Sequence, residues 1–397
     1  MNNLKEGEVD LTDLKKSASF KAASLLLQPL DVLFNRTNSI EHVGRTAIWR
    51  GQIEPASFAS YLVRLIPDQS KLIPEYLNIW LNFPSTQLLI RRYATPGVHQ
   101  VNINPTNLRK VLIPLPKEVS EQRRIVEIFG SINSTIAHTS SLIAKLKQMK
   151  AGLLHDLLTR GLDENGELRD AIGHPEQFKS SPLGQIPKDW YVLEVNQVSE
   201  DITYGLTVRP QYIPQGIPLV STKECFDGWI DYENANKISE FDYRALRFRS
   251  IPKPGDVLFT KTGTVGRVAT IKFGDPKSAL SQNVALIKPK SDIIIPEFLE
   301  LSLKSESIRR QTAVGITTLS IPDLQLAVIG KFLLPIPPKP EQSQIIIRIN
   351  SHNSRIRKEE AYRDKLKLQK EGLMHDLLTG KVRVKDADKF TSASDTV

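Results

Sequence analysis

Two long stretches of this chain carry apolar residues at threes and fours, the period of an α-helix with one apolar stripe. In the first, Ile125, Ile128, Ile132, Ile136, Leu142, Ile143, Leu146, Met149, Leu153 and Leu157 share the stripe, which runs for about five heptads. In the second, Ile345, Ile349, Ile356, Leu366, Leu373 and Leu377 hold equivalent places, and His352, Glu359 and Arg363 interrupt them. A helix over 121–158 would be roughly 57 Å long at about 1.5 Å per residue. Each stretch follows a proline-rich joint, PLP at 114–116 and PIPPKP at 335–340, which cannot lie inside a helix. A helix of that length with one apolar stripe needs a partner, and each stretch offers one to the other as an antiparallel pair. The alternative is two unrelated amphipathic helices, each packed on its own domain. The polar interruptions could set the register of the pair or face another protein.

The helices belong to a larger repeat. GLLHDLLTRG (152–161) returns about 220 positions later as GLMHDLLTGK (372–381). LIPEYL (72–77) returns as IIPEFL (294–299), and LIPLPKEVSEQRRIV (112–126) as LLPIPPKPEQSQIII (333–347). LQPLDVLFNRT (27–37) matches IPKPGDVLFTKT (251–262) in pattern. Each half therefore reads as a strand-rich region, a short helix, a proline-rich joint, a long helix and HDLLT. Between the halves, 161–190 is rich in Gly, Pro, Asp, Glu and Ser without a helical stripe, and reads as a linker leading to a second globular region near Trp190.

In the second half, Val257-Leu258-Phe259 and 268–271 have strand character and flank a Gly-, Thr- and Lys-rich loop. Lys261, Thr262, Thr264 and Arg267 there suit phosphate oxygens and base edges. Arg36, Thr37, Asn38 and Arg45 hold similar positions in the first half. A plain hairpin with a polar turn explains either loop alone; equivalent loops in both halves favour nucleic acid. Arg91-Arg92 and Arg309-Arg310 are predicted to end short helices after the two IPE motifs, as solvated faces or as phosphate contacts.

The chain has 397 residues, too long for a single core, so two or three domains are expected. Its 53 Lys+Arg against 44 Asp+Glu leave a net charge of +9, compatible with a polyanion. Cys225 is the only cysteine, which excludes an internal disulfide or a cysteine-based zinc cluster and fits a reducing cytoplasm. The polar start is no secretory signal, and no apolar run approaches the roughly 20 residues that span a membrane. No Walker loop, no GxGxxG opening a helix and no GxSxG occurs. His155-Asp156 and His375-Asp376 invite a metal reading, but no HxH or HxxxH pair accompanies them, so they read as helix-end contacts. Cys225 lacks an evident His partner. No metal site and no catalytic residue is expected.

The helices beginning EQRRIVEIF (121–129) and EQSQIIIRI (341–349), each preceded by a proline-rich joint and ending in GL(L/M)HDLLT, resemble the conserved helical regions of the specificity subunit of type I restriction–modification enzymes. FKSSPLGQIPKDW (178–190) and GDVLFTKTGTVGRVA (255–269) look like that family's second target-recognition domain, and DVLFNRTNS (31–39) like a segment of the first. The resemblance covers nearly the whole chain. It implies an α+β fold with two mixed α/β target-recognition domains, separated by two long antiparallel coiled-coil spacer helices in an internal two-fold repeat. The implied boundaries are 1–116 for the first recognition domain, 117–160 for the first spacer helix, 161–182 for a linker, 183–337 for the second recognition domain, 338–381 for the second helix and 382–397 for a polar, disordered tail. Each recognition domain would read one half of a split double-stranded DNA sequence, with the helices setting the gap. Ile125, Ile132, Ile136, Leu146, Leu153 and Leu157 would pack against Ile345, Ile349, Ile356, Leu366, Leu373 and Leu377. Ile346, Arg348 and Tyr362 would be free for two methyltransferase subunits, and two motor-nuclease subunits would join them. S-adenosylmethionine, ATP and Mg2+ would sit on those partners; this subunit would carry no cofactor and no catalysis.

One departure stands out. The second domain has roughly 60 residues before GDVLF and the first only about 30 before its DVLF, so PLGQIPKDWYVLEVNQVSEDITYG (182–205) lacks an N-terminal counterpart. A truncated product, a start downstream of the true one and a naturally reduced domain are all open, and a sheet lacking its first strands would expose an edge. Two other functions remain: a coiled-coil scaffold that never touches DNA, and a nuclease with an unrecognised site. The DNA target, the gap, the adenines modified and the assembly stoichiometry are not legible in the residues.

Overall fold

The computed structural model describes residues 3–15, 25–97, 100–246, 248–316 and 321–384. The chain divides into two compact units, Met1–Ser141 with Glu359–Val397, and Leu142–Lys358.

The second unit is built on an antiparallel sheet in the order Ser199–Tyr204, Val284–Pro289, Val257–Thr260, Val268–Thr270. Val257–Thr260 and Val268–Thr270 are buried at every position, which is why they read as continuous apolar runs and not as alternating ones. Helix Pro296–Leu303 packs on these two strands. Pro296 starts it, because proline's fixed φ suits the first turn and its missing N–H costs nothing there. Helix Glu306–Gly315 follows, capped by the Ser305 side chain, which accepts the Ile308 N–H. Strand Leu333–Ile336 then pairs antiparallel with Tyr191–Glu194 and leads into the second long helix, Lys339–Leu378. The core gathers Trp190, Phe259 and Phe298 with Leu157 and Leu158 from the end of the first long helix and Ile345 and Ile349 from the start of the second.

The first unit repeats this plan. Its sheet runs Leu4–Lys5, Gly7–Val9, Thr46–Ile48, Val32–Asn35, Leu62–Leu65. Val32 pairs with Leu65 as Val257 pairs with Ile287, so three strands of the two sheets share register as well as order, while the outer strands differ. Helices Pro74–Leu81 and Pro84–Arg91 correspond to the pair in the second unit, again with proline in the first turn. The core joins Phe34, Tyr76 and Trp80 to Ile125 and Phe129 from the start of the first long helix and Met374, Leu377 and Leu378 from the end of the second.

The long helices are Val119–Thr159, 41 residues, and Lys339–Leu378, 40 residues. Of the expected stripe, Ile125, Leu146, Leu157, Ile345, Ile349, Ile356, Leu366 and Leu377 are buried. Ile132, Ile136, Leu153 and Leu373 are half-buried. Leu142 and Met149 are exposed. Three expectations need correction. The stretch 161–182 is no free linker: Leu162 and Phe178 are buried, and Phe178–Ser181 forms a hairpin with Gly184–Pro187. Ile346 packs on the second core, and Arg348 donates to the Gly166 carbonyl, so of the three residues reserved for partners only Tyr362 stands exposed. The expected tail from 382 begins with bound residues, since Arg383 and Val384 both reach Glu121; its remainder, from 385, lies outside the described residues.

Candidate nucleic-acid interface

The second-unit loop joins Val257–Thr260 to Val268–Thr270, and Gly263 and Gly266 take positive φ where any side chain would be strained. The base of the loop is pinned. Gly263 N–H donates to the Pro322 carbonyl at 2.8 Å, and Leu324 N–H donates to the Lys261 carbonyl at 2.9 Å. Lys261 Nζ donates to Asp323 Oδ1 at 2.8 Å and is largely buried. This ion pair and the Thr262 hydroxyl hold the Asp323 carboxyl below the usual carboxylate range. Lys261 and Thr262, expected at phosphates, are therefore committed to Asp323 and shape the loop from below. Thr264 is exposed at its tip.

Arg267 lies at the far end. Its guanidinium donates to the Thr222 and Cys225 carbonyls at 3.3 Å and sits 5.0 Å from the centroid of the Phe226 ring. Phe226 stacks on Trp229 with centroids 4.4 Å apart, and Trp229 is 52% exposed. A cation over a stack of two rings, one of them open to solvent, suits a base face or edge. The sequence reading missed Phe226 and Trp229, and the only signal for them was a tryptophan in a short polar turn.

In the first unit, Thr37 donates to Asn102 Oδ1 at 3.0 Å and lines a shallow cleft with Thr95, Pro96, Gly97 and Gln100. Asn38 Oδ1 accepts the Ser39 N–H. Asn38 Nδ2 and Arg36 Nε are buried without a hydrogen-bond partner among the described residues, and so are both polar side-chain atoms of Asn35. Buried polar groups left in this state are uncommon and mark a site worth an explanation. Arg45 is half-buried, and its carbonyl accepts the Asn35 N–H at 2.9 Å. Arg91 closes its helix and donates to the Glu41 carbonyl at 3.3 Å, and Arg92 is exposed. Arg309 and Arg310 do not end a helix, because Glu306–Gly315 continues past them. Both are exposed, and Arg310 pairs loosely with Glu306 at 4.0 Å.

Two polar residues that follow each proline-rich joint brace the unit they lie in. Gln122 is fully buried; its Oε1 accepts the Ile73 N–H at 3.0 Å and its Nε2 donates to the Lys71 carbonyl at 2.7 Å. Gln342 repeats this at Ile295 N–H, 2.9 Å, and the Ile293 carbonyl, 3.0 Å. Each glutamine thus ties a long helix to the residue before its IPE proline. Glu121 accepts from Arg383 at 2.6 Å and from Val384 N–H at 3.1 Å. Glu341 accepts from Arg169 at 2.7 Å, Leu162 N–H at 2.6 Å and Trp190 Nε1 at 2.9 Å. In both units the start of one long helix grips the chain that leaves the other.

His155 and His375 are exposed, and their carbonyls accept the Thr159 and Thr379 hydroxyls at the helix ends. Among the described residues no cluster of His, Cys, Asp or Glu could hold a metal ion. Burial pushes the Cys225 thiol up to about 12. No helix among the described residues is long and apolar enough to cross a membrane.

The sequence model of the type I restriction modification DNA specificity domain matches residues 10–148 and 219–368. The chain belongs to this family. It is 25% identical, over 97% of its length and 87% of the relative's, to a putative type I restriction enzyme MjaX specificity subunit of Methanocaldococcus jannaschii. A chain from a structural study of complex assembly and conformational transition in the type I R-M system superimposes with a TM-score of 0.59 at 14% identity, covering 95% of this chain and 88% of that one. The S subunit of a type I system from M. genitalium gives 0.51 at 15% identity, over 89% and 84%. These two likenesses concern the fold. Each of the two matched specificity-domain regions contains one of the loops described above and most of one long helix.

Proposed function

We propose that the chain is the specificity subunit of a type I restriction–modification complex, a non-catalytic protein that reads double-stranded DNA. The observation that carries this is the repetition, within one family member, of a glycine-rich or polar loop between two buried strands, each mounted on a unit clamped by the same Glu-Gln pair. Each unit would read one half of a split target. In the second unit Thr264, Arg267, Phe226 and Trp229 would face DNA; in the first, Arg36, Thr37, Asn38 and Asn35 would. Arg92, Arg309 and Arg310 would contact phosphates, and Arg45 and Arg91 would support the first surface. Two surfaces on one chain gain affinity through effective concentration.

The long helices would pair antiparallel as a spacer that sets the gap. Support comes from each unit's core, where the start of one helix meets the end of the other. Two methyltransferase subunits and two motor-nuclease subunits would complete the cytoplasmic complex, and S-adenosylmethionine, ATP and Mg2+ would belong to them. Expression with its methyltransferase in a host lacking other methyltransferases tests the reading by methylome sequencing. A split methylated motif with a fixed gap is expected, and insertion of four residues near Ser140 should change only the gap. Absence of modification together with salt-independent or absent duplex binding would favour a scaffold instead, because phosphate contacts release counterions.

A further inference from the structure

Within the repeat, one pair of equivalent positions changes a charge. In the second unit Leu324 N–H donates to the Lys261 carbonyl at 2.9 Å, and Thr262 pairs antiparallel with Asp323, whose Oδ1 accepts from the Thr262 hydroxyl. In the first unit Ile103 N–H donates to the Arg36 carbonyl at 2.8 Å, and Thr37 pairs antiparallel with Asn102, whose Oδ1 accepts from the Thr37 hydroxyl. The backbone frame and the threonine bond are the same in both. Arg36 therefore stands where Lys261 does, and Asn102 where Asp323 does. The amide has the shape of the carboxylate without its charge.

The consequence falls on the cation. Lys261 Nζ donates to Asp323 Oδ1 at 2.8 Å and is neutralised within its own unit. Arg36 forms no ion pair and no side-chain hydrogen bond among the described residues. It is half-buried, and its Nε is shut away from water without an acceptor. A cation partly removed from water and left unpaired is costly, so the place favours an anion from outside the chain. Thr37 and Asn102 line a shallow cleft beside it. With Oδ1 engaged by Thr37, Asn102 keeps its Nδ2 as a donor, where a carboxylate would repel an anion.

We infer that the first unit binds a phosphate oxyanion at Arg36, in the place that the Asp323 carboxylate fills in the second unit. The planar fork of a guanidinium matches two oxygens of such a group. That the phosphate comes from a DNA backbone rests on the proposed function; the oxyanion site itself does not. The two units would then hold DNA unequally, the first with a phosphate contact that the second replaces with its own aspartate.

The test is phenylglyoxal modification of the full chain, with the rate at Arg36 read by mass spectrometry at constant ionic strength in chloride. Saturating random-sequence duplex should slow modification of Arg36 at least fivefold, and inorganic phosphate should slow it in a concentration-dependent way. Asn102→Asp should slow it at least fivefold with no anion added, because the variant supplies the missing carboxylate. The same variant should lower the slope of log affinity for duplex against log salt by about 0.9, the contribution of one phosphate. Protection by inorganic phosphate without salt-dependent duplex binding would keep the oxyanion site and remove DNA as its source. Protection of Arg92, Arg309 and Arg310 by duplex while Arg36 reacts unchanged would overturn the inference and leave the DNA reading standing. An Arg36 that is unreactive in chloride alone, or one that neither duplex nor phosphate protects, also overturns it.

Discussion

The carboxylate of Glu341 joins three separate parts of the second unit, and Glu341→Gln isolates its charge without opening a cavity. The carboxylate takes hydrogen bonds from Arg169, from Leu162 N–H and from the Trp190 indole. The Arg169 side chain is only 12% exposed, so the pair is nearly desolvated. Gln keeps one acceptor oxygen and turns an NH2 group toward donors. Stranding a buried charge costs about 3–5 kcal/mol, but Arg169 keeps Asp189 at 3.2 Å, so the loss here falls below that range. The repeat supplies the control. Glu121→Gln removes the same charge from the equivalent position, but its partner Arg383 is 54% exposed, so solvent screens the pair and its contribution is small. Weakening the Val384 N–H bond adds about 1 kcal/mol. Glu341→Gln should therefore be the more disruptive of the two, by at least about tenfold in the local opening equilibrium, about 1.4 kcal/mol.

Native-state hydrogen exchange reads this residue by residue and avoids assuming one cooperative transition for a two-unit chain. Glu341→Gln should speed exchange at Leu162 and around Trp190 and leave the first unit unchanged. Glu121→Gln should speed it mildly at Val384 alone. Equal effects, or a larger one from Glu121→Gln, would refute the view that desolvation of the partner decides the strength of the clamp.

Three further outcomes follow from the second-unit site. Asp323 has a folded pKa below its unfolded one, so its pair with Lys261 stabilises the loop above pH of about 4 and is lost as pH falls through the folded value; the loop's amide protection, measured relative to the intrinsic exchange rate, should fall in acid, and Asp323→Asn should abolish that pH dependence. Arg267→Ala should relax reading of one half-site only, measured by binding to DNA with either half scrambled, whereas equal loss at both would contradict the assignment of one unit to each half. Cys225, fully buried and with its thiol pushed up to about 12, should resist a neutral-pH thiol reagent in the native chain and react at once on unfolding; fast native labelling would show that its cover opens.

The legible parts of this fold are those whose cause lies nearby in sequence. The long helices announce themselves by period, the short ones by the proline of each IPE motif, and the buried strands by runs such as VLFT and VAT. The illegible parts depend on partners far along the chain. Lys261 looked like a free cation beside a glycine turn, and the aspartate that claims it lies 62 residues on. Arg267 gave no hint of Phe226 and Trp229, which reach it from a separate hairpin. The Glu-Gln pairs were visible only as the start of a resemblance, because nothing local shows that Glu341 reaches back 179 residues to Leu162. Arg348 pointed outward by helical period, yet the supposed linker folds over it.

The same long reach makes the chain's C-terminal part a component of its first unit. Met374, Leu377 and Leu378 lie in the core with Phe34, Tyr76 and Trp80, and Arg383 closes on Glu121. Ending the chain at Lys358 would strip those three side chains away at about 1.5–3 kcal/mol each, or roughly 5–9 kcal/mol together. A domain of this size has a net stability of about 5–15 kcal/mol, so most or all of the first unit's margin would go. The second unit would keep Leu157, Leu158, Ile345 and Ile349 and lose nothing from its core. Exchange measurements on this truncated chain should find Val32–Asn35 and Thr46–Ile48 unprotected while Val257–Thr260 and Val284–Pro289 remain protected. Full protection of Val32–Asn35 would mean that the first unit closes its core without the second helix, and the shared-core account of the repeat would fall.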